Sequence, residues 1–212
     1  ILSALLLGLF VAAVLAAQGW LHRQDEKLRG EAIAGRRAQL LRAAAGTFSG
    51  TERRFQLVGE VAGVRIFDDY AHHPTEVAAT LTAARGLAGD GRLVACFQPH
   101  LFTRTRDFAD EFGRALALAD EVLVLGIYPA REDPIPGVTG RLVADAAAAA
   151  APDAVHYVET LAEAAPALAG LVRPGDLVVT LGAGDVTRVG PALAGILAVG
   201  AGEKRPVVVG DK

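Results

Sequence analysis

Several residue types are scarce or absent in this sequence. Its 212 residues include no methionine, a single tryptophan and a single cysteine. A lone cysteine excludes a disulfide framework within the chain, and Cys96 stands in the apolar run 93–97, where we expect a small core residue. Such cysteine usage fits a reducing, cytoplasmic compartment. Because the chain starts at Ile1 and contains no methionine, we expect it to be part of a longer protein.

Neither sign of charge dominates the composition. The 21 Lys and Arg residues and 24 Asp and Glu residues give a net charge of -3, so no basic field favours a nucleic-acid partner. Two motifs are also missing: a glycine-rich loop followed by Lys-Ser or Lys-Thr, and a serine in a nucleophile elbow. We therefore do not expect the chain to cradle ATP phosphates by itself. The 52% hydrophobic content suffices for one domain with its own core.

The chain divides into three predicted regions. Residues 1–21 carry no charge and, if helical, would extend about 30 Å, roughly the thickness of a bilayer core. They predict either a membrane helix or an alanine-rich helix buried against a preceding domain, and 27–45 predicts a charged helical linker. The helical segment then covers 1–46, an α/β domain covers 47–200, and a tail covers 201–212.

Short β-rich runs alternate with longer helical runs after residue 47. This pattern predicts an α/β fold: a Rossmann-like three-layer domain with a mostly parallel sheet. The predicted strands are 54–58, 64–68, 93–97, 121–125, 155–158 and 177–181, with the first two forming an edge hairpin around residues 59–63. The predicted helices are 74–88, 105–119, 139–150, 161–171 and 186–199.

Polar clusters follow four of these strands. In an open parallel sheet the carboxyl ends of the strands share one edge, where ligands bind. We therefore expect His72, His100 and Arg104, which come from different loops, to face one cleft. An arginine fork suits a carboxylate or phosphate, and a histidine can donate or accept near neutral pH. The cleft is thus predicted to hold an anionic substrate.

Simpler explanations stand beside this one. His73, which precedes Pro74, is placed to cap a helix, and Asp68 is placed to be a satisfied edge carboxylate. Residues 182–185 favour a tight turn with Asp185 as a helix cap over a phosphate loop. Three histidines leave a zinc site open, although their spacing is not that of a regular zinc motif, and no metal ligand is assigned.

The strand-end segments resemble the C-terminal domain of the Mur ligases. The matching stretches, in family order, are FSGTERRF at 48–55, DDYAHHPTE at 68–76, FQPHLFTRTR at 97–106, ADEVLVL at 119–125, YPAREDPIPG at 128–137 and PGDLVVTLGAGDV at 174–186. Within the family they are most similar to the group that joins L-alanine to UDP-N-acetylmuramate in cell-wall synthesis. The His-His-Pro-Thr-Glu and Gln-Pro-His strings are the most specific part of the resemblance.

The resemblance implies a three-domain, ATP-dependent enzyme of the cytoplasm. An N-terminal domain would bind the UDP-sugar, and a central P-loop domain would hold ATP and Mg²⁺; neither is visible in this sequence. The muramoyl carboxylate would be phosphorylated and the alanine amine would attack the acyl phosphate. By position, Asp69 and Tyr70 would meet the nucleotide. The residues His72, His100 and Arg104 would be catalytic, and His73 and Arg106 would bind substrate.

The resemblance also has departures and rivals. Some family members carry arginine where Leu101 stands, and residues before Thr47 do not match well. The ligase that recycles murein tripeptide is a rival, but it tends to have phenylalanine and alanine where Tyr70 and Glu76 stand. A membrane-tethered binding module without catalysis is a second rival. Whichever of these assignments holds, we predict that the isolated chain has no ligase activity.

Overall fold

A computed structural model describes residues 53–202. Its six strands are β1 (Gln56–Val61), β2 (Val64–Asp69), β3 (Leu93–Phe97), β4 (Glu121–Leu125), β5 (Val155–Val158) and β6 (Leu177–Leu181). Its α-helices are α1 (Pro74–Ala88), α2 (Phe102–Leu116), α3 (Arg141–Ala148), α4 (Leu161–Leu171) and α5 (Val189–Gly200). The predictions for 1–46 and most of the tail lie outside the described residues.

The strands form one sheet in the order β1-β2-β6-β3-β4-β5. Only β1 runs antiparallel to its neighbour, and the five remaining strands are parallel to one another. The predicted α/β fold, with a mostly parallel sheet and an edge hairpin, is confirmed. Long crossovers are required between parallel strands, and the helices predicted from the sequence fill them.

The turn of the edge hairpin is shorter than predicted. Residues 59–63 were expected to separate the strands, but Gly59 and Val61 pair with Ile66 and Val64 inside the ladder. The turn consists of Ala62 and Gly63, both at positive φ, as a tight two-residue hairpin turn requires. An irregularity in register between Leu57 and Gly59 adds a bulge to β1.

Apolar side chains alternate across the sheet and build a core on each face. Phe67, Ala95 and Phe97 face α1, α2 and α3, whereas Ile66 and Cys96 face α4 and α5. The five parallel strands are therefore covered on both sides, which explains their nearly continuous apolar runs. The prediction that Cys96 is a core residue is confirmed, and burial raises the pKa of its thiol.

Three helices begin elsewhere than predicted: α3 begins at Arg141 rather than 139, and two others differ for local reasons. Helix α2 begins at Phe102 rather than 105, because the backbone of Leu101 turns sharply and Glu132 accepts from the amide of Thr103. Helix α5 begins at Val189 rather than 186, because a 3₁₀ turn over Asp185–Arg188 precedes it. Such polar contacts from distant loops are invisible to helical periodicity.

The helices leave the sheet toward opposite faces at its centre. Strand β3 continues into α2 on one face, while its neighbour β6 continues toward α5 on the other. A crevice opens at such a switch point, outside the carboxyl ends of the strands. None of the helices in the described part of the chain combines the length and apolarity needed to span a bilayer. The membrane-helix prediction for 1–21 lies outside those residues.

Candidate functional site

The loop after β2 begins with a buried carboxylate. Asp68 accepts from the hydroxyls of Thr180 (2.6 Å) and Thr187 (3.0 Å) and from Nε of Arg53 (2.9 Å). It is therefore the satisfied edge carboxylate considered from the sequence. The guanidinium of Arg53 also donates to the carbonyls of Gly182 (2.6 Å) and Gly184 (3.3 Å). Asp68 and Arg53 thus tie β2 to the loop after β6.

Asp69 is occupied by the domain's own backbone. Its carboxylate accepts from the amides of Phe55 (2.7 Å) and Ala71 (2.8 Å) and from the hydroxyl of Thr80 (3.2 Å). Burial raises the pKa of Asp69, and these hydrogen bonds oppose that shift. The carboxylate therefore shapes the loop, and its predicted role toward a nucleotide stays a prediction.

Tyr70 and His72 form the exposed part of the same loop. The Tyr70 ring is 46% exposed, and its centroid lies 4.9 Å from that of His72. Nδ1 of His72 lies 3.0 Å from the carbonyl of Tyr70 and 3.3 Å from Oε2 of Glu76. Because both partners accept, Nδ1 carries the proton, and Nε2 is the nitrogen left for a ligand.

His73 is the residue that precedes the first turn of α1, as one interpretation of the sequence proposed. Its amide donates to Oε2 of Glu76 (3.1 Å), and its carbonyl accepts from the amide of Val77. Its ring lies 5.2 Å from that of Phe108, on α2. His73 therefore fixes the start of α1 against α2, and its predicted contact with substrate stays a prediction.

The loop after β3 presents His100 at the switch point. Its ring lies 5.9 Å from that of His72 and stacks on that of Tyr128 at 5.7 Å. Its Nδ1 is buried and has no hydrogen-bond partner among residues 53–202. Burial, followed by the positive charge of Arg104, holds the pKa of His100 below its ordinary value of 6.5. The imidazole is therefore neutral near pH 7.

Leu101 links His100 to α2 in a strained conformation. Its φ of 73° with a ψ of 135° lies where non-glycine residues are rare. The backbone is held there because the Leu101 amide donates to the carbonyl of Tyr128 (3.0 Å) and its carbonyl accepts from the hydroxyl of Thr105 (2.8 Å). The strain re-aims the chain so that His100 and Arg104 lie on the same side.

Arg104 reaches the β2 loop from the first turns of α2. Its Nη1 lies 3.4 Å from the carbonyl of His72, a long and weak hydrogen bond. Most donors of the Arg104 guanidinium have no hydrogen-bond partner in the part of the chain that the structure describes. The structure thus brings together His72 from the loop after β2, His100 from the loop after β3 and Arg104 from α2.

Arg106 does not join them through any hydrogen bond of the described residues. Two positions along a helix correspond to a rotation of about 200°, so Arg104 and Arg106 point in different directions. Arg106 is exposed and pairs with Asp107 at 2.7 Å. Its predicted contact with substrate stays a prediction.

Gln98 joins the loops after β3 and β6. Its buried amide donates to Asp185 (2.8 Å) and accepts from the amide of Val186 (3.1 Å). The tight turn predicted at 182–185 is present, but Asp185 caps no helix, because Gln98 holds its carboxylate. Gly182 has a φ of 145°, a backbone conformation that needs glycine.

Four residues at this edge had no predicted role. Arg53 and Gln98 fix loops to one another, and Tyr128 stacks on His100. Glu132 accepts from the amide (2.9 Å) and the hydroxyl (2.5 Å) of Thr103 at the start of α2. Because Gln98, Tyr128 and Glu132 follow the ends of strands, the sequence could have predicted that they lie at this edge. Arg53 precedes its strand, so its position in the sequence did not indicate a place in the site.

Metal ligation was also considered from the sequence. Between residues 53 and 202, no group of three or more His, Cys, Asp or Glu side chains is arranged to hold a metal ion. The three-histidine zinc alternative is therefore wrong for this region, since His73 packs on Phe108 and not with His72 and His100.

Relatives of known description match this chain. The family model described as "Mur ligase, glutamate ligase domain" matches residues 53–184. A UDP-N-acetylmuramate--L-alanine ligase of Cutibacterium acnes is 68% identical over 152 residues, covering 71% of this chain and 32% of its own. One of Streptomyces griseus is 47% identical over 200 residues, covering 93% and 43%. The chain spans about a third of the length of the first curated relatives it matches.

The Streptomyces griseus alignment extends into residues 1–46, because it covers 93% of the chain. The predictions made for that segment, including a poor match to the family, stay predictions.

Solved structures agree with the sequence relatives. The UDP-N-acetylmuramate-alanine ligase of Thermotoga maritima superposes with a TM-score of 0.56 at 25% identity, over 72% of this chain and 31% of its own. A murein peptide ligase of Psychrobacter arcticus gives 0.54 at 27%, over 71% and 32%. With most of the described domain matched by the family model and its fold shared with these enzymes, the chain belongs to the Mur ligase family.

Proposed function

We propose that this chain is the closing domain of an ATP-dependent ligase that joins L-alanine to UDP-N-acetylmuramate. ATP phosphorylates the muramoyl carboxylate, and the alanine amine attacks the acyl phosphate, so that an amide forms and phosphate leaves. The curated relatives that match the chain at 68% and 60% identity both bear the name of this ligase. The chain's own share of the chemistry lies at the carboxyl edge of the sheet.

The observation that carries the proposal is the meeting of Arg104 with His72 and His100. Among residues 53–202, Arg104 forms a single long hydrogen bond, of 3.4 Å, to the carbonyl of His72. A guanidinium in this state can bind the carboxylate of alanine through two parallel hydrogen bonds. The bound amino acid is then oriented with its amine toward the imidazoles, which is the main advantage that a fixed site provides.

His100 and His72 offer nitrogens of different character to that amine. The lowered pKa of His100 keeps its imidazole neutral, so it can accept a proton from the attacking amine. His72 has its proton fixed on Nδ1, which leaves Nε2 to orient the amino acid or the phosphate. In this scheme Arg104 on α2 holds the carboxylate of alanine, and His72 and His100, from two separate loops, face its amine.

The nucleotide is assigned to the other end of the site. The exposed Tyr70 ring lies 5.3 Å from the guanidinium carbon of Arg53, which together present an aromatic and cationic surface. Asp69 supports that surface through the backbone of its loop. Mg²⁺ finds no fitting set of ligands among residues 53–202, so this domain supplies no step through it.

Two further domains complete the proposed enzyme. An N-terminal domain binds the UDP-sugar and a central domain binds ATP, and closure of this domain over them excludes water from the acyl phosphate. The isolated chain is therefore expected to be inactive, because it holds alanine and the edge of the nucleotide only.

A chimera tests the proposal. The matching third of the Cutibacterium acnes relative is replaced by residues 53–202, and formation of UDP-N-acetylmuramoyl-alanine from ATP, UDP-N-acetylmuramate and L-alanine is measured. We expect the chimera to be active, and R104K to lower kcat/KM for alanine about 10²-fold because a lysine cannot form the bidentate fork. R114K, at an exposed position of the same helix with no predicted role, is the matched control and is expected to change little. An inactive chimera, or equal losses for R104K and R114K, contradicts the proposal.

The murein tripeptide ligase reaction is an outcome of the same assay. If the chimera accepts the tripeptide in place of alanine, the chain belongs to that reaction. We expect alanine to be used, in keeping with Tyr70 and Glu76 at the two positions that separate the groups.

A further inference from the structure

Four aromatic rings form a row across the site. The ring centroids of Tyr70 and His72 are 4.9 Å apart, those of His72 and His100 are 5.9 Å apart, and those of His100 and Tyr128 are 5.7 Å apart. The last pair is nearly parallel, with 15° between the ring planes. The row therefore fixes the place of His100 by contact on both sides, and Tyr128 is its inner end.

Tyr128 rests where Gly184 has no side chain. A Cβ at Gly184 would lie 2.6 Å from Cγ of Tyr128 and 2.5 Å from Oε1 of Gln98. Real Cβ atoms do not approach other atoms so closely, so one of these side chains would have to move. The Tyr128 side chain packs into the space that a side chain at position 184 would otherwise fill.

Neither neighbour of Gly184 can retreat through its backbone. The amide of Tyr128 donates to Pro99 (2.8 Å) and its carbonyl accepts from Leu101 (3.0 Å), so its backbone is fixed to the loop that carries His100. The Gln98 amide is held on both sides by Asp185 and Val186. Cβ of Tyr128 would also lie 2.8 Å from the added methyl group, so relief requires a χ1 rotation of Tyr128 with a small shift of its Cβ, and both movements carry the ring out of its stack on His100.

We propose that Gly184 is a positioning residue of the amino-acid site, acting through the Tyr128 ring on His100. The inference deepens the proposed function and rests on it. Gly184 touches no substrate in this scheme; it sets how far the Tyr128 ring, and with it the imidazole that faces the alanine amine, stands from Arg104. A displacement of about 1 Å at such a site can cost about 10²-fold in rate.

The test uses kinetics of the Cutibacterium acnes chimera with G184A. We expect kcat/KM for alanine to fall by about 10²-fold, while KM for ATP and for UDP-N-acetylmuramate stays unchanged. Two glycines serve as controls. G195A adds a methyl group in open space, and G113A crowds the backbone of Ala146 at 2.6 Å, away from the site. G113A is expected to lower the Tm without changing the kinetic constants of the folded enzyme.

A double-mutant cycle identifies the side chain that transmits the effect. Y128G removes both the ring and the Cβ that the new methyl group would meet at 2.8 Å, so G184A added to Y128G should cause little further loss of kcat/KM for alanine, whereas G184A added to Q98A should keep most of its effect. The inference is wrong if G184A retains its full effect in the Y128G background, or if ATP and alanine are affected equally. A parent chimera that makes no product instead contradicts the proposed function itself, and the inference falls with it.

Discussion

The two ends of the sheet use charge in opposite ways. At the amino end, Arg92 donates to both carboxylate oxygens of Asp176 (3.1 and 2.7 Å), to Glu121 (2.8 Å) and to the carbonyl of Leu171 (2.8 Å). The second oxygen of Glu121 lies 3.3 Å from Nε2 of His156. Four of the five N–H donors of Arg92 are therefore used within the protein.

The carboxyl end is less complete. Arg104 has one hydrogen bond of 3.4 Å, and Nδ1 of His100 has none within the described residues. Leu101 holds a strained backbone between them. The domain thus has satisfied charges where they join strands, and incompletely satisfied polar groups at the edge where we propose that a ligand binds.

The largest effect on stability is expected at the amino end. R92M leaves the buried carboxylate of Asp176 without its ion-pair partner and removes the link among β3, β4 and β6. We expect the free energy of unfolding of the 212-residue chain to fall by about 3–5 kcal/mol, the usual result of breaking a buried pair. Urea unfolding followed by circular dichroism measures this change.

R85M is the matched control for that experiment. Arg85 also forms a 2.7 Å ion pair, with Asp120, but both side chains are about 40% exposed. Solvent screening then limits the change to about 0–1 kcal/mol. Equal losses in R85M and R92M would show that burial does not separate the two pairs.

A smaller loss is expected for R53M at the carboxyl end. Arg53 holds Asp68 and two loop carbonyls, but Asp68 keeps the hydroxyls of Thr180 and Thr187 when Arg53 is removed. We expect a loss of about 2 kcal/mol, in the range for a hydrogen bond to a charged group. R54M, at the exposed neighbouring position, is the control and should change the free energy of unfolding little. If R53M lowered the free energy of unfolding as much as R92M does, the expected order of the two ends of the sheet would be wrong.

Sequence patterns predicted the fold because burial follows periodicity. The bounds of β3, β4, β5 and β6 agree with those expected, since each strand is a short apolar run between polar turns. The errors fall where a tertiary contact decides. Glu132 caps α2 from another loop, and the two-residue turn at Ala62 takes a φ that its side chain disfavours.

The site was predicted in part for a similar reason. Position after parallel strands predicted the meeting of His72, His100 and Arg104, because sheet topology alone brings those loops together. It could not assign Tyr128 or Gly184, whose contact depends on side-chain volume and ring orientation. Nor could it reveal that the Asp69 carboxylate accepts hydrogen bonds from the backbone amides of Phe55 and Ala71.

Removing Arg104 is expected to leave stability almost unchanged. R104M loses one hydrogen bond of 3.4 Å and no ion pair of the described residues, so the free energy of unfolding should change by less than about 0.5 kcal/mol. The same substitution should abolish most alanine incorporation in the chimera. A loss of stability comparable to that of R53M would instead place Arg104 among the charges that stabilise the fold.

The smallest expected effect is a pH dependence of stability from His100. Its pKa in the folded chain lies below 6.5, mainly because the ring is buried and secondly because Arg104 and His72 face it, with Glu132 opposing them. Between the folded value and 6.5 the unfolded chain binds more protons, so the free energy of unfolding falls as the pH drops below 6.5. H100Q removes this contribution. Subtracting its urea-derived free energies from those of the unsubstituted chain, from about pH 7.5 to about pH 5, should give a difference that is constant above 6.5 and falls below it. A flat difference across that range would show that His100 titrates alike in both states, and that its neutral form is not built into the fold.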